Sequence, residues 1–191
     1  REIRAVIDWE FLGWKPETTQ IDSHVLKAIQ LYQEALRYHQ NDKDPTAFID
    51  ADLSRLHYAF NVVFGEGKEA RYKAALRSFI DRWADHEVAA RALSLWAQQV
   101  KYEGDWAEAR RLALRGRNAH PGSVGGRMCH NLIQEIEARS LRIATERVWT
   151  EPWPSIAVRQ RNLTNVHFRA VAWDWNEFLQ RQHSRPERLN A

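Results

Sequence analysis

Apolar side chains recur every three or four positions over the first 140 residues, which is the spacing that lines one face of an α-helix. Six such stripes follow one another along the chain. They run over Val25–His39, Ile49–Val63, Tyr72–Trp83, Val88–Trp96, Trp106–Gly116 and Met128–Ile136. The pattern therefore predicts six helices, and a further short helix is predicted near Glu2–Leu12.

Residues that start or stop helices lie between the stripes. Asp22 or Ser23 can cap the first helix and Asp105 the fifth, because their side chains accept the free amide hydrogens of a first turn. Pro45 suits the first turn of the second helix, where its missing N–H is not needed. Pro121 closes the fifth helix. These signals divide the stripes into separate helices joined by short connections.

The hydrophobic period changes to two after the helices. Leu141–Trp149, Ser155–Leu163 and Asn165–Trp173 are rich in Val, Ile, Trp and Phe, which is typical of strands. Three strands in a row predict a short antiparallel meander, too small for a sandwich or barrel of its own. A short helix is predicted at Asp174–Gln182 and a loose tail from His183.

The segment from Ala90 to Pro121 has the length of one tetratricopeptide repeat, a helix pair of about 34 residues. Its two predicted helices are joined at Gly104-Asp105-Trp106, and small residues lie where the helices must approach closely. The expected packing positions are Ala97, Gly104, Trp106, Ala109, Ala113 and Pro121. The predicted fold is therefore mainly α. A tetratricopeptide-like stack of antiparallel helical hairpins covers residues 1–140, and the β meander with its short helix and tail covers residues 141–191.

Charge and hydrophobicity limit the classes of partner that the chain is expected to bind. The chain has 191 residues and a formal charge of +3, and its 44% apolar content is ordinary for a globular protein. Arg110, Arg111, Arg115 and Arg117 fall on several faces of one predicted helix, so they are expected to be a solvated surface and no nucleic-acid partner is expected. No apolar run reaches 18 residues, so no membrane contact is expected of this segment.

Reactive groups do not assemble into a catalytic set. Cys129 is the single cysteine, which excludes an internal disulfide and a multi-thiolate zinc site. It is expected to be buried and inert, and its neighbour His130 points about 100° away on a helix. Asp50 and Asp52 diverge in the same way and are expected to be solvated or capping. The sequence therefore predicts no enzyme, no cofactor and no metal site.

The chain contains nine tryptophans, which is the one unusual feature of its composition. Trp14, Trp83, Trp96 and Trp106 fit packing between helices. A second group near the predicted strands either binds a partner or seals the strands onto another surface, and consists of Trp149, Trp153, Trp173 and Trp175.

Several runs of sequence, in order, resemble bacterial alpha-2-macroglobulin-like proteins. Gly126–Leu141 resembles a helix of that family that precedes its first macroglobulin-type β domain. Trp153–Val158 and Arg161–Arg169 resemble the continuation into that domain. Phe11–Lys15 and Ala47–Leu56 resemble the N-terminal helical region.

The resemblance implies a periplasmic or extracellular location and a parent chain that traps proteases. Downstream β domains of the parent would be the partners, with proteases met through the parent. The family's Cys-x-Glu-Gln thioester motif does not occur here. Since the chain begins at Arg1 without an initiator Met, we expect an excised segment, with residues 141–191 as the start of a truncated β-sandwich domain.

Two functions of different class follow. The first is a non-catalytic structural and interaction module that positions β domains or docks a partner in the helical concavity. The alternative is a free-standing module that binds glycans or peptides through surface tryptophans such as Trp153 and Trp173. A helical hydrolase ranks last, because no acid, base and nucleophile can be brought together.

Overall fold

The computed structural model describes residues 9–15, 23–145, 151–152 and 155–169, together with positions 174, 177 and 180. The elements that are described in full begin with a 3-10 turn at Trp9–Leu12, continue with six α-helices and end with two strands, β1 and β2. Their bounds are α1 (His24–His39), α2 (Thr46–Val62), α3 (Lys68–Arg82), α4 (Val88–Tyr102), α5 (Trp106–Ala119) and α6 (Val124–Glu137), with β1 at Ser140–Ala144 and β2 at Ala157–Arg161. The prediction of a mainly helical chain with a short antiparallel sheet is confirmed.

Local hydrogen bonds fix where the later helices begin. The Asp105 carboxylate accepts from the Glu108 amide at 3.0 Å, so the predicted cap of α5 is confirmed. The Ser123 hydroxyl accepts from the Gly126 amide at 2.9 Å and caps α6. Ser23 precedes α1, but its side chain makes no capping hydrogen bond, so that predicted cap is wrong. The alternative cap, Asp22, lies outside the described residues.

Helix α4 is the centre of the helical unit, which spans Arg1–Ala138. It packs against α3, α5 and α6 and also touches α2, while α5 and α6 pack against each other. The main core is formed by apolar side chains that these helices bury, among them Leu53, Tyr72, Leu76, Leu93, Leu112 and Ile133. A smaller core joins the 3-10 turn to α1 and α2 through Phe11, Ile29, Leu36 and Ala59.

The predicted packing positions divide between core and turn. Ala97, Ala109 and Ala113 have no exposed surface. Gly104 has a φ of 94°, the left-handed conformation that favours glycine, and it turns the chain between α4 and α5. Pro121 is exposed beyond the end of α5. The tetratricopeptide-like detail of this helix pair stays a prediction.

Tryptophan placement departs in part from the expectation. Trp14, Trp83 and Trp96 are half-buried. Trp106 is 37% exposed, so its expected core position is wrong. The reason is its place at the first residue of α5, where its ring lies beside the Lys101 ammonium at 6.0 Å from the ring centroid.

Helix α2 buries an ion pair that contains Asp52, which was expected to be solvated or capping. Asp52 and Arg55 are 7% and 6% exposed, and the Asp52 Oδ1 and Arg55 Nε atoms are 2.7 Å apart. The Arg55 guanidinium also lies 4.6 Å from the centroid of the Phe11 ring. The expectation that Asp52 is solvated or capping is therefore wrong. Since α2 supplies Leu53 to the main core and Ala59 to the smaller one, it has little surface left for solvent.

The second unit spans Arg139–Ala191 and contains an antiparallel ribbon. Strands β1 and β2 pair from Ser140 opposite Arg161 to Ala144 opposite Ala157. The predicted third strand is not seen at positions 165–169, which follow the left-handed Asn162 (φ 57°) in irregular conformation. Over the described residues the sheet therefore has two strands instead of three.

Other predictions cannot be compared with the structure. The rest of the third strand, the end of the first strand and most of Asp174–Gln182 lie outside the described residues. The predicted helix near Glu2–Leu12 is described at 9–12 alone, as a 3-10 turn. Among the described helices, none has both the length and the apolar character that crossing a bilayer requires.

Candidate functional site

Two separate clefts are each lined by residues of α4 and α6, and we refer to the two together as the α4–α6 groove. The larger, of about 380 Å³, is lined near the C-terminal ends of both helices by Gln98, Lys101, Tyr102, Met128, Asn131, Leu132 and Glu135. The smaller cleft, of about 200 Å³, lies near the N-terminal ends of both helices and is also lined by α2. Its lining residues are Thr46, Asp50, Glu87, Val88, Arg91, Ser123, Val124 and Gly125. The two helices therefore run in the same direction along the groove.

Glycines allow α6 to pack closely against both α4 and α5. A Cβ atom added to Gly125 would lie 2.1 Å from the backbone nitrogen of Arg91 in α4. A Cβ at Gly116 of α5 would lie 2.6 Å from the Cys129 sulfur of α6. The backbones of α4 and α6 thus meet near the smaller cleft, with no room for a side chain between them.

An ion pair crosses the larger cleft. The Lys101 Nζ atom of α4 lies 2.7 Å and 2.8 Å from the two carboxylate oxygens of Glu135 in α6. The Tyr102 ring beside it is 79% exposed, with its centroid 5.6 Å from the same ammonium. The side-chain amides of Gln98 and Asn131 also line this cleft, and neither has a hydrogen-bond partner among the described residues.

A hydrogen-bonded chain links α2 and α4 at the smaller cleft. The Val88 amide donates to His86 Nδ1 at 3.3 Å, so the His86 proton lies on Nε2 and is directed at the Thr46 hydroxyl at 3.1 Å. The Thr46 hydroxyl donates in turn to Asp44 at 2.6 Å. Thr46 thereby lowers the pKa of Asp44, through its side chain first and its backbone amide second.

Opposite charges and an apolar rim complete the smaller cleft. Arg91 of α4 forms an ion pair with Asp50 of α2. Val124, the first residue of α6, is 61% exposed at the rim. Each cleft therefore presents one ion pair and one exposed apolar side chain, and Glu87 adds one carboxylate to the smaller cleft.

A histidine and a tyrosine are hydrogen-bonded between α2 and α3. His57 Nδ1 and the Tyr72 hydroxyl are 2.9 Å apart. Burial lowers the pKa of His57, and the positive charge of Arg91 lowers it further. Burial raises the pKa of Tyr72 well above its ordinary value. Both groups are therefore neutral near pH 7, and this pair has a structural role in holding α2 against α3.

We expect His57 to make the stability of the helical unit depend on pH. Because its folded-state pKa lies below the ordinary value of 6.5, the unfolded chain takes up the proton first as the pH falls. The free energy of unfolding should therefore decrease as the pH drops below about 6.5. Urea unfolding at a series of pH values should show a shallower decrease for His57→Gln. His130→Gln, which changes an exposed histidine of α6, should keep the wild-type profile; equal profiles for all three proteins would contradict the assignment.

Cys129 offers no nucleophile. Its side chain is fully buried, as the sequence analysis expected, and its sulfur donates to the Ala90 carbonyl oxygen at 3.4 Å. Burial raises the pKa of the thiol to about 11, so the thiolate is scarce near neutral pH. Among the described residues no cluster of His, Cys, Asp and Glu could hold a metal ion.

The groove residues were not among the sites expected from the sequence. The four tryptophans expected to bind partners, Trp149, Trp153, Trp173 and Trp175, lie outside the described residues. Gln98 and Asn131 are ordinary polar positions on two amphipathic helices, and the crossing of α4 and α6 brings them together. Gly125 at the start of α6 was the available signal for that close crossing, whereas its neighbour Gly126 lies against the His120 carbonyl oxygen.

No protein-family model matches this chain, and searches of curated proteins and of solved structures return no significant similarity.

Proposed function

We propose that the helical unit is a non-catalytic interaction module that binds an extended polypeptide segment in the α4–α6 groove. The observation that carries this proposal is the larger cleft, which Gln98 of α4 and Asn131 of α6 line with amides that have no partner among the described residues. The smaller cleft lies along the same two helices. The residues that line the clefts suit ligand binding better than catalysis, because the clefts contain ion-paired charged groups and no activated nucleophile.

The amides match the chemistry of an extended backbone. A glutamine or asparagine side chain offers both donors and an acceptor, and an extended peptide exposes an N–H and a C=O at every residue. Gln98 of α4 and Asn131 of α6 approach one cleft from two sides. A peptide between them can therefore hydrogen-bond to both walls, independent of its own sequence.

The length of the groove sets the size of the segment. Arg91 and Tyr102 line its two clefts from α4 and are eleven residues apart, which is about 16 Å along a helix. An extended chain rises about 3.3 Å per residue, so about five residues of a partner fit this length. Tyr102 and Val124 are the exposed apolar contacts, and an aromatic anchor of this kind dominates the affinity of many interfaces.

We further propose that this module is the helical segment of a bacterial alpha-2-macroglobulin-like protein. The ordered likeness of Gly126–Leu141 and the runs that follow it supports this proposal. In such a parent the module would position β domains, in the periplasm or outside the cell, and would meet proteases through the parent. Reading the frame in its genome tests this: a downstream series of β-sandwich domains supports the proposal, and a frame that lacks them contradicts it.

Selection of binding peptides tests the groove. A phage-displayed library of random dodecapeptides is panned against the full chain, and the recovered peptides are synthesised for titration. We expect the double variant Gln98→Leu/Asn131→Leu to weaken their binding about tenfold or more, because two or three hydrogen bonds of about 0.5–1.5 kcal/mol each are lost. Tyr102→Ala should weaken binding as well, through the loss of an exposed aromatic contact.

Gln134→Leu is the matched control, since it makes the same kind of change at an exposed position of α6 that lines neither cleft. It should leave the affinity of the selected peptides unchanged. Failure to recover any saturable peptide, or an equal loss of affinity in Gln134→Leu and in the groove variants, would contradict the proposal.

A further inference from the structure

Strand register places three arginines on one face of the β1–β2 ribbon. Arg142 of β1 lies directly opposite Arg159 of β2, and Arg161 lies two residues further along β2. Residues directly opposite in an antiparallel pair share a face, and residues two apart on a strand share it too. We call this surface the arginine face.

No described acidic residue pairs with the two central arginines of the arginine face. Arg142 and Arg159 are exposed, and neither has an ion-pair or hydrogen-bond partner among the described residues. Like charges directly opposite each other on a sheet are destabilising. The ribbon therefore holds two guanidinium groups side by side, and a bound external anion would reduce their mutual repulsion.

The sequence concentrates positive charge in this part of the chain. From Arg139 onward there are nine arginines, no lysine and five carboxylate residues, whereas the preceding residues contain nineteen basic and twenty acidic residues. The net positive charge of the whole chain thus belongs to the second unit.

The opposite face of the ribbon contains three apolar side chains and one amide, Gln160, which lies opposite Leu141. Leu141 and Ile143 are 47% and 53% exposed, and Val158, opposite Ile143, is half-buried. Over the described residues no further strand pairs with β1 or β2, so each strand has one edge that no described strand covers. An isolated two-stranded ribbon is marginally stable in water, and a third strand is the usual remedy.

We propose that an edge of this ribbon accepts an extended strand of a partner protein in which acidic and apolar residues alternate. Main-chain hydrogen bonds to the free edge hold the partner strand in place. Because its side chains alternate between faces, its acidic residues lie beside the arginine face and its apolar residues extend the Leu141–Ile143 face. Arginine pairs with carboxylates through two parallel hydrogen bonds, which makes the charge match specific as well as favourable.

Charge selects this occupant over a second copy of the chain. Two ribbons joined edge to edge with matching faces would bring two arginine faces side by side, and their repulsion opposes that dimer. The inference rests on the register of β1 and β2 and is independent of the α4–α6 groove.

Synthetic octapeptides test the proposal against the full chain. The probe is a fluorescein-labelled peptide in which valine and glutamate alternate, and binding is followed by fluorescence anisotropy. A second peptide replaces each glutamate with lysine, and a third has the composition of the first with its valines and glutamates in separate blocks. We expect saturable binding of the alternating acidic peptide, with both other peptides about tenfold weaker or worse.

Charge reversal gives the sharpest result. Arg142→Glu/Arg159→Glu should invert the preference, so that the lysine peptide binds more tightly than the glutamate peptide. Arg77→Glu/Arg115→Glu makes the same change in net charge at exposed helical positions and should keep the wild-type preference. The milder Arg142→Gln/Arg159→Gln should abolish the preference for glutamate over lysine while retaining the preference for alternation, which guards against a reversal variant that fails to fold.

Five outcomes would overturn the proposal. The first three are equal binding of the acidic and basic peptides, equal binding of the block peptide, and the same inversion in the helical control pair. The fourth is tighter binding to single-stranded DNA or to anionic vesicles than to the peptide, and the fifth is self-association that the peptide does not displace.

Discussion

Replacing Gly125 with alanine is expected to lower the free energy of unfolding of the helical unit by about 3 kcal/mol or more. The new Cβ atom would lie 2.1 Å from the Arg91 nitrogen and 2.5 Å from the Ala90 carbonyl carbon. Both are backbone atoms of α4, so no side chain can rotate away to relieve the contact. Alanine gains about 1 kcal/mol over glycine in helix propensity, and this gain is smaller than the cost of separating the helices.

Urea unfolding followed by far-UV circular dichroism measures this effect. Gly122→Ala is the control, because a Cβ atom there meets nothing within 4 Å, and its stability should stay within about 0.5 kcal/mol of the wild type. If Gly125→Ala were as stable as Gly122→Ala, α4 and α6 would not cross at this separation, and the smaller cleft would lose its described shape.

The second large effect is expected at the buried ion pair of α2. Asp52→Ala removes the carboxylate that lies 2.7 Å from the Arg55 Nε atom, while the guanidinium stays in a site with side chains 8–9% exposed. Removing one partner of a buried pair costs on the order of 3–5 kcal/mol, because the remaining charge keeps its desolvation cost. Thermal and urea unfolding should both show the loss.

Two further variants distinguish the desolvation cost of the remaining Arg55 guanidinium from the loss of its hydrogen bond to Asp52 alone. Asp52→Leu/Arg55→Met removes both charges and should recover most of the lost stability, since apolar groups of similar size often replace a buried pair without cost. Glu108→Ala breaks a pair with the same spacing, Glu108 and Arg111, in a largely exposed setting, and should cost far less. Equal losses in Asp52→Ala and Glu108→Ala would show that the α2 pair is solvated in solution.

Periodicity predicted the helices because each helix buries one stripe. The stripe Ile49, Leu53 and Leu56 is buried in α2, and Tyr72, Leu76 and Phe79 are buried in α3. The capping preference of Asp105 likewise predicted the start of α5, because a cap bonds to an amide three residues further along the chain. Such features depend on residues within a few positions of each other, so the sequence contains them directly.

Features that depend on how helices cross could not be predicted in this way. Asp52 lies on α2 beside two cores at once, and the sequence alone does not show that α2 is enclosed on both sides. Gln98 and Asn131 are 33 positions apart in the sequence and face one cleft because Gly125 allows α4 and α6 to meet. The groove is therefore a tertiary property, whereas the helices that form it are a local one.

The β segment shows a limit of a different kind. Alternation predicted β1 and β2, yet residues 165–169 have the same kind of alternation and are irregular in the structure. Strand formation needs a partner edge as well as a pattern, and pairing is set by register and turn geometry. The left-handed Asn162 at the end of β2 is the local feature that accompanies the break.

Hydrogen–deuterium exchange of the full chain, with and without a selected dodecapeptide, tests the central claim most directly. We expect slower exchange confined to peptide fragments of α4 and α6 that contain the groove residues. This protection should be lost in Gln98→Leu/Asn131→Leu and kept in Gln134→Leu. Protection confined to other helices, or unchanged exchange along α4 and α6 at saturating peptide, would contradict it.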